Sequence, residues 1–267
     1  MDTTTTTIMP ASGATTIKTT ITTTTITTKT ITTTFNPNRL VLVQSRILTS
    51  VPSPLPTSTF HEWYDTVHIP DILQTPGVLS AARYTLTPAD QEQDHSDPTF
   101  PYLALYPGLS HAWLTSPTCE FLRVPLQHPM LPGPGHFVFD VADFVLGAYI
   151  VQGTTGGRVE GTPAGVVLEV VSEEEVQQRG MEGVLKAREG AWGGGGRTSL
   201  LEWDFNPAEV LGREEEVKAG RFAVGGRWLV LHELDAIPEH LDEKLHSGGG
   251  SKVFRLHKAF GEERPMV

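Results

Sequence analysis

Residues 60–84 read FHEWYDTVHIPDILQTPGVLSAARY, and the fold turns on how this stretch divides into elements. Phe60, Trp63 and Val67 recur at three- and four-residue spacing, the period of a helix with one buried side. Ser58 or Thr59 can cap its free N–H groups, Glu62 falls in the first turn, and Pro70 or the Thr75-Pro76-Gly77 turn ends it. The next run, VLSAARYTLT, reads as a strand. On an ideal helix His61, Asp65 and His68 lie within roughly 60° of one another, opposite the apolar side. That polar face either meets water or lines a cleft, and Pro70 removes the end of the helix from an ideal wheel.

Upstream, RLVLVQSRILT (39–49) is an apolar, β-branched run that suits a strand. Downstream come a polar loop, the strand FPYLALYP, one or two short helices between Leu109 and Val124, and a strand within Phe137 to Gln152. The order is βαββαβ. Beyond the glycine-rich GTTGGRVEGTPAG it repeats. AGVVLEVV is a strand, and SEEEVQQRGMEGVLKAREG is a helix with Ser172 and Glu175 spaced as a capping box. RTSLLEWDF and RWLVLHELDA are strands, IPEHLDEKLH is a short helix, and SKVFRLHKAF is the last strand. Each unit leaves one sheet face bare of helices, and pairing the two bare faces buries both. The expected class is α+β: two ferredoxin-like halves (36–153 and 166–267), joined by a connector (154–165), forming a dimeric-type α/β barrel within one chain.

Residues 1–35 are more than half threonine with isolated isoleucines, a composition that cannot bury a core and reads as a disordered tail. The chain has 267 residues, 39% hydrophobic, with a net charge of −11. An acidic chain without a basic stripe argues against nucleic acid and anionic membrane surfaces as partners. No run has the ~18 uncharged apolar residues of a membrane span, and the tail lacks the parts of a secretory signal. Cys119 is the one cysteine, which excludes intrachain disulfides and fits a reducing, cytoplasmic setting. No phosphate loop, dinucleotide fingerprint or G-x-S-x-G elbow is present. The spacing of His61, Asp65 and His68 is compatible with a metal site but common by chance, and no metal is expected.

The 60–84 stretch resembles the signature of the EthD-like members of the dimeric α/β-barrel superfamily. The matching residues are Trp63, Tyr64, Asp65, His68, Ile69, Pro70, Pro76, Gly77, Arg83 and Tyr84, with PYLALY as a weaker match to the third strand. Such proteins often carry an acid directly before the histidine. Here that position is Val67, leaving Asp65 as the nearest carboxylate. The resemblance implies a cofactor-independent lyase of fungal polyketide metabolism, a decarboxylase or dehydratase of an aromatic intermediate. The wider superfamily adds cofactor-free monooxygenases and isomerases, and a non-catalytic ligand-binding or stress-related barrel is the competing class. It implies His68 as general acid–base, Asp65 as its orienting carboxylate and Arg83 as anion holder. Trp63, Tyr64, Tyr84, Tyr102 and Tyr106 would contact a small aromatic substrate, in a monomer or homodimer. Only one site is expected, because the second half lacks the Trp-Tyr-Asp…His string. Strand alternation sets Tyr84 and Arg83 on opposite faces and keeps Tyr102 and Tyr106 in step.

Overall fold

The computed structural model describes residues 3–11, 14–22, 39–87, 100–116, 119–157, 159–189, 191, 196–205, 222–223, 226–238 and 251–261. The chain divides into two units, residues 1–32 and 33–267. In the first, β1 (Thr3–Ala11) pairs antiparallel with β2 (Ala14–Thr22), with Thr3 opposite Thr22 and Ala11 opposite Ala14. These residues, read from sequence as part of a tail, are extended: β-branched threonine and isoleucine favour strand backbone. The remainder of that stretch lies outside the described residues.

The second unit begins with β3 (Arg39–Ile47), followed by a helical rod made of α1 (Thr57–Trp63), a π-helical turn (Tyr64–His68) and α2 (Ile69–Leu73). Next come β4 (Ser80–Leu86), β5 (Tyr102–Pro107), the single turn α3 (His111–Leu114) and the long β6 (Ala142–Gly156). The chain continues with β7 (Gly165–Val171), α4 (Glu173–Arg188), β8 (Arg197–Phe205), the two-residue β9 (Phe222–Ala223), β10 (Trp228–Leu234) and β11 (Ser251–Gly261). Ser172 caps α4 as its spacing predicts, accepting a hydrogen bond from the Glu175 N–H at 3.1 Å. The rod starts earlier than expected, at Thr57 after Pro56, with no side-chain cap. The helix expected over 237–246 falls mostly outside the described residues.

Eight strands close into an antiparallel barrel in the order β3-β5-β4-β11-β7-β10-β8-β6, with β6 returning to β3. Two facing sheets would leave four open edges, each a row of unpaired N–H and C=O groups. Instead the halves are hydrogen-bonded edge to edge, and this corrects the picture of two sheets meeting only through their faces. The first half contributes the order β6-β3-β5-β4 and the second β11-β7-β10-β8. The fourth strand of each half is long enough to reach the other half. β6 pairs with β3 over 142–150 and with β8 over 148–156; β11 pairs with β7 over 251–255 and with β4 over 254–261. Both strands shift register where they change partner, β6 near Ala148 and Val151 and β11 between Leu256 and Lys258. Because β6 continues to Gly156, the link between halves is confined to 157–164, shorter than the connector read from glycine content.

Alternation sorts side chains to the two faces of the barrel wall. Leu40, Leu42, Tyr84, Leu103, Leu231 and Phe254 fill the interior. Val41, Val43, Ala104 and Tyr106 face outward and are covered by Phe60, Trp63, Tyr64, Ile69 and Ile72 of the rod. On the second half Val171, Leu200, Trp228 and Val230 pack under Val176, Val184 and Leu185 of α4. Strands covered on both faces read as unbroken apolar runs, which is why RLVLV lacks a polar alternation. No helix among the described residues is long and apolar enough to cross a membrane.

Every hydrogen-bonded strand of the barrel lies within 39–261, whereas the first unit is a two-stranded hairpin, a form that is marginal on its own. Deleting residues 1–34 is expected to move the barrel's melting temperature by less than about 2 °C. Calorimetry of the truncated chain checks this, and a loss several times larger would show that the hairpin supports the barrel.

Candidate functional site

Pro70 has no N–H and its ring crowds the carbonyl four residues back, so an α-helix cannot continue through it unchanged. The rod meets this with the π turn just before it, where the Ile69 N–H bonds to the Tyr64 carbonyl, five residues back. A π turn holds one extra residue, so the positions after it are rotated by roughly the 100° of one helical residue. His61 and Asp65 therefore share a face, while His68 turns into the core. His68 is 8% exposed, stacked on Trp63 at 4.7 Å and edge-on to Tyr64 at 5.1 Å. Burial, reinforced by the positive charge of Arg83, lowers its pKa to about 3. His68 is thus a neutral ring in the packing beneath the rod.

Arg83 is the centre of the polar group that does assemble. It lies on β4 opposite Ala104 of β5, with its side chain 3% exposed, on the face that Tyr102, Ala104 and Tyr106 share. Its Nη1 donates to Asp65 Oδ1, its Nη2 donates to His61 Nδ1 at 2.9 Å, and its guanidinium carbon sits 4.5 Å from the centre of the Tyr64 ring. Asp65 is shared with the second half of the chain. His257 Nε2 lies 3.2 Å from Asp65 Oδ2, and Lys258 Nζ lies 3.7 Å from the same oxygen. Adjacent residues of a regular strand point to opposite faces, yet both reach Asp65. The register shift in β11 permits it: Leu256 pairs with Tyr84 and Lys258 with Arg83, leaving His257 as the extra, bulged residue.

His61 completes the group. Its ring stacks on His257 at 4.5 Å and meets the edge of Tyr102 at 5.1 Å. Partial burial lowers its pKa to about 4; the nearby charges of Arg83 and His257 add to this and Asp65 opposes it. A guanidinium can only donate, so Nδ1 of the neutral imidazole must accept and the proton must reside on Nε2. His61, partly buried, therefore carries its proton on Nε2 and is backed by a buried positive charge. Burial pushes the pKa of Tyr64 up to about 12, against the opposing effects of Arg83 and a hydrogen bond with Ser45, and burial raises Tyr106 well above its ordinary value.

Of the residues named from sequence, Arg83, Asp65, Tyr64 and Tyr102 are brought together. Trp63, His68 and Tyr106 belong to the core beneath them. Tyr84 lies inside the barrel, 1% exposed, and cannot share a ligand with Arg83 across the wall. Asp65 does not orient His68; among the described residues it is engaged by Arg83, His257 and Lys258. Sequence reasoning places His61 on the right face but gives the chemistry to His68. It misses His257 and Lys258 altogether, since nothing local links them to Asp65, 192 residues away from His257. Among the described residues no group of three or more His, Cys, Asp or Glu side chains is disposed to hold a metal ion.

No family model matches the chain, and no curated protein is similar to it. Solved structures are similar in fold. One is a proposed monooxygenase from Fusobacterium nucleatum subsp. nucleatum, 12% identical, matched over 84% of this chain and 95% of its own, with a TM-score of 0.43. Another is a proposed monooxygenase from Lactobacillus acidophilus, 8% identical, matched over 85% of this chain and 97% of its own, with a TM-score of 0.38.

Removing one member of a buried ion pair leaves the other charge uncompensated, so Asp65→Ala is expected to cost about 3–5 kcal/mol in urea unfolding. The double variant Asp65→Ala/Arg83→Met should recover much of that. Equal losses in the single and double variants would contradict the pairing. Acid should also weaken the fold. His232, buried on β10, is lowered to about 3 by burial and by the charge of Arg188, and with His61 near 4 and His68 near 3 all three lie below the unfolded value of 6.5. Between these limits the unfolded chain binds more protons, so stability falls as pH drops from about 6.5 toward 4. His68→Phe should flatten that decline, and an unchanged slope would contradict the neutral buried state.

Proposed function

We propose that the chain is a cofactor-independent enzyme that stabilises an enolate or phenolate oxygen of an aromatic, polyketide-type substrate, with His61 as the donor. The observation that carries this reading is the hydrogen bond from Arg83 Nη2 to His61 Nδ1 at 2.9 Å, which fixes Nε2 as the protonated nitrogen. An imidazole N–H on a partly buried ring with a guanidinium behind it suits an oxygen on which negative charge develops. It does not suit proton abstraction, because the accepting nitrogen is occupied. Lys258 and His257 add positive and donating groups on the same side.

The lyase reading uses this donor directly. When an aromatic β-keto acid loses CO₂, the electrons of the breaking C–C bond move toward the carbonyl, and the resulting enolate oxygen is held by His61. Dehydration of a β-hydroxy ketone passes through the same enolate. The monooxygenase reading, the one to which the names of the two structural neighbours belong, requires an enolate or phenolate that then reacts with O₂. Decarboxylation reaches the enolate from the breaking C–C bond and needs no base, so Arg83, Asp65 and His61 suffice for it; dehydration and reaction with O₂ first need a base to take a substrate proton, a role that His61 does not fill.

The test is turnover of a panel of aromatic β-keto acids and hydroxyanthrones, with CO₂ release and O₂ uptake followed in air and under argon. CO₂ release without oxygen supports the lyase, and oxygen uptake supports the monooxygenase. Binding without turnover leaves a ligand-binding barrel. His61→Ala should reduce turnover by about 10²–10³-fold, the usual cost of one oxyanion donor. His68→Ala should cost less than about 10-fold in turnover by folded protein. Because the neutral form of His61 is the working one, the acid limb of the rate profile should lie near pH 4 rather than 6.5. A larger effect of His68→Ala than of His61→Ala would overturn the assignment.

A further inference from the structure

A groove of about 490 Å³ opens where β3 ends, between the 48–57 segment and the start of β5. Its volume is in the range of small-molecule sites. The apolar residues of the wall include Leu48, Leu55, Pro101 and Tyr102; the polar ones include Arg46, Thr49, Ser50 and Thr57. Arg46 is held in place from two sides. Asp143 accepts from its Nε at 2.9 Å and its Nη2 at 2.7 Å, and the guanidinium carbon lies 5.1 Å from the centre of the Phe100 ring. That fork leaves Nη1 as the donor the ion pair does not use. Tyr102 belongs both to the groove and to the polar group, since its ring meets His61 edge to face at 5.1 Å.

The geometry points to this groove as the seat of a flat, oxygenated aromatic acid, with Arg46 as the residue that selects for its carboxylate. The ring lies along Tyr102, Leu55 and Pro101, and the carboxylate takes Arg46 Nη1 and the neighbouring hydroxyls. A planar guanidinium fixed at its other edge loses little freedom on binding a carboxylate, which favours it over a mobile lysine. The assignment deepens the reading of His61 as oxyanion donor and rests on it for the ligand's orientation: the end of the ring remote from Arg46 is the one that reaches past Tyr102 toward His61. It names which substrates the barrel accepts, namely aromatic acids that carry, apart from any carboxylate lost as CO₂, a carboxylate remote from the reacting oxygen.

The probe is 6-hydroxy-2-naphthoate, whose carboxylate and hydroxyl lie at opposite ends of the ring system, titrated calorimetrically into the full chain alongside 2-naphthol, which lacks the carboxylate. Thr49 and Ser50 are exposed, so Thr49→Trp and Ser50→Trp can obstruct the groove without disturbing the core. Each should weaken naphthoate binding at least about 10-fold while circular dichroism and melting temperature stay at parent values. Arg46→Gln should weaken naphthoate about 10-fold and leave 2-naphthol unchanged, which a merely structural role of Arg46 would not do. No measurable naphthoate binding by the parent chain, or parent-like binding by both tryptophan variants, would overturn the proposal. So would equal losses of naphthoate and naphthol in Arg46→Gln. Failure of the enzyme reading looks different: naphthoate still binds in the parent and is lost in the tryptophan variants, but nothing in the panel is turned over and His61→Ala changes no rate. That result supports the groove while removing the chemistry.

Discussion

Closure of the barrel is the constraint on which the rest of the structure depends. Two four-stranded sheets carry four edges, and burying their inner faces leaves those edges to be satisfied. β6 and β11 do this by running on past their own half. β11 pairs with β7 through Arg255 and then with β4 from Leu86 to Ser80, and β6 does the same from β3 to β8. A strand that changes partners has to bend, and a bulge is the usual means. In β11 the bulge falls at His257. The device that closes the barrel is therefore also the one that brings two second-half side chains onto Asp65, under the first-half helical rod.

Charge then decides what the assembled group can do. Arg83 is almost completely buried, and a guanidinium there has to be both neutralised and hydrogen-bonded. Asp65 supplies the charge and His61 accepts a further hydrogen bond, so the histidine is forced into the Nε2–H tautomer. The second half meets the analogous problem with two carboxylates. Arg188 of α4 donates from Nε and Nη2 to Glu169 of β7 and from Nη1 and Nη2 to Glu175 of its own helix. With two carboxylates its donors are spent on joining helix to sheet. The pairing around Arg83 has one carboxylate and one imidazole.

Much of the fold is legible in the sequence because the barrel strands carry their signal locally. RLVLV, SAARYTL, YLALYP, GVVLEVV and WLVLHEL are short apolar runs bounded by turns, and Ser172-x-x-Glu175 marks a helix start that the structure keeps. Edge-to-edge pairing is not legible, because no residue within β6 or β11 states that the strand will outrun its own half. The site is legible in Arg83 and Asp65, and in the alternation that sets Tyr84 on the other face from Arg83. The pattern misleads at His68 for a local reason. Pro70 takes this end of the helix off an ideal wheel without saying which way it turns, and the chain relieves that proline with a π turn that carries His68 into the core. His257 and Lys258 depend on a bulge in a distant strand, and HK within SKVFRLHKAF looks like an ordinary in-and-out pair.

The central claim is that His61 is neutral, accepts from Arg83 at Nδ1 and presents its proton on Nε2. Long-range ¹H–¹⁵N correlation spectra of uniformly ¹⁵N-labelled protein, assigned with a His61→Gln control and recorded from pH 4 to 8, report tautomer and protonation together. The account predicts an Nε2–H pattern for His61 that persists through neutral pH and titrates only near 4. An Nδ1–H pattern, or a midpoint near the ordinary 6.5, would contradict it and with it the role of Arg83 behind the imidazole.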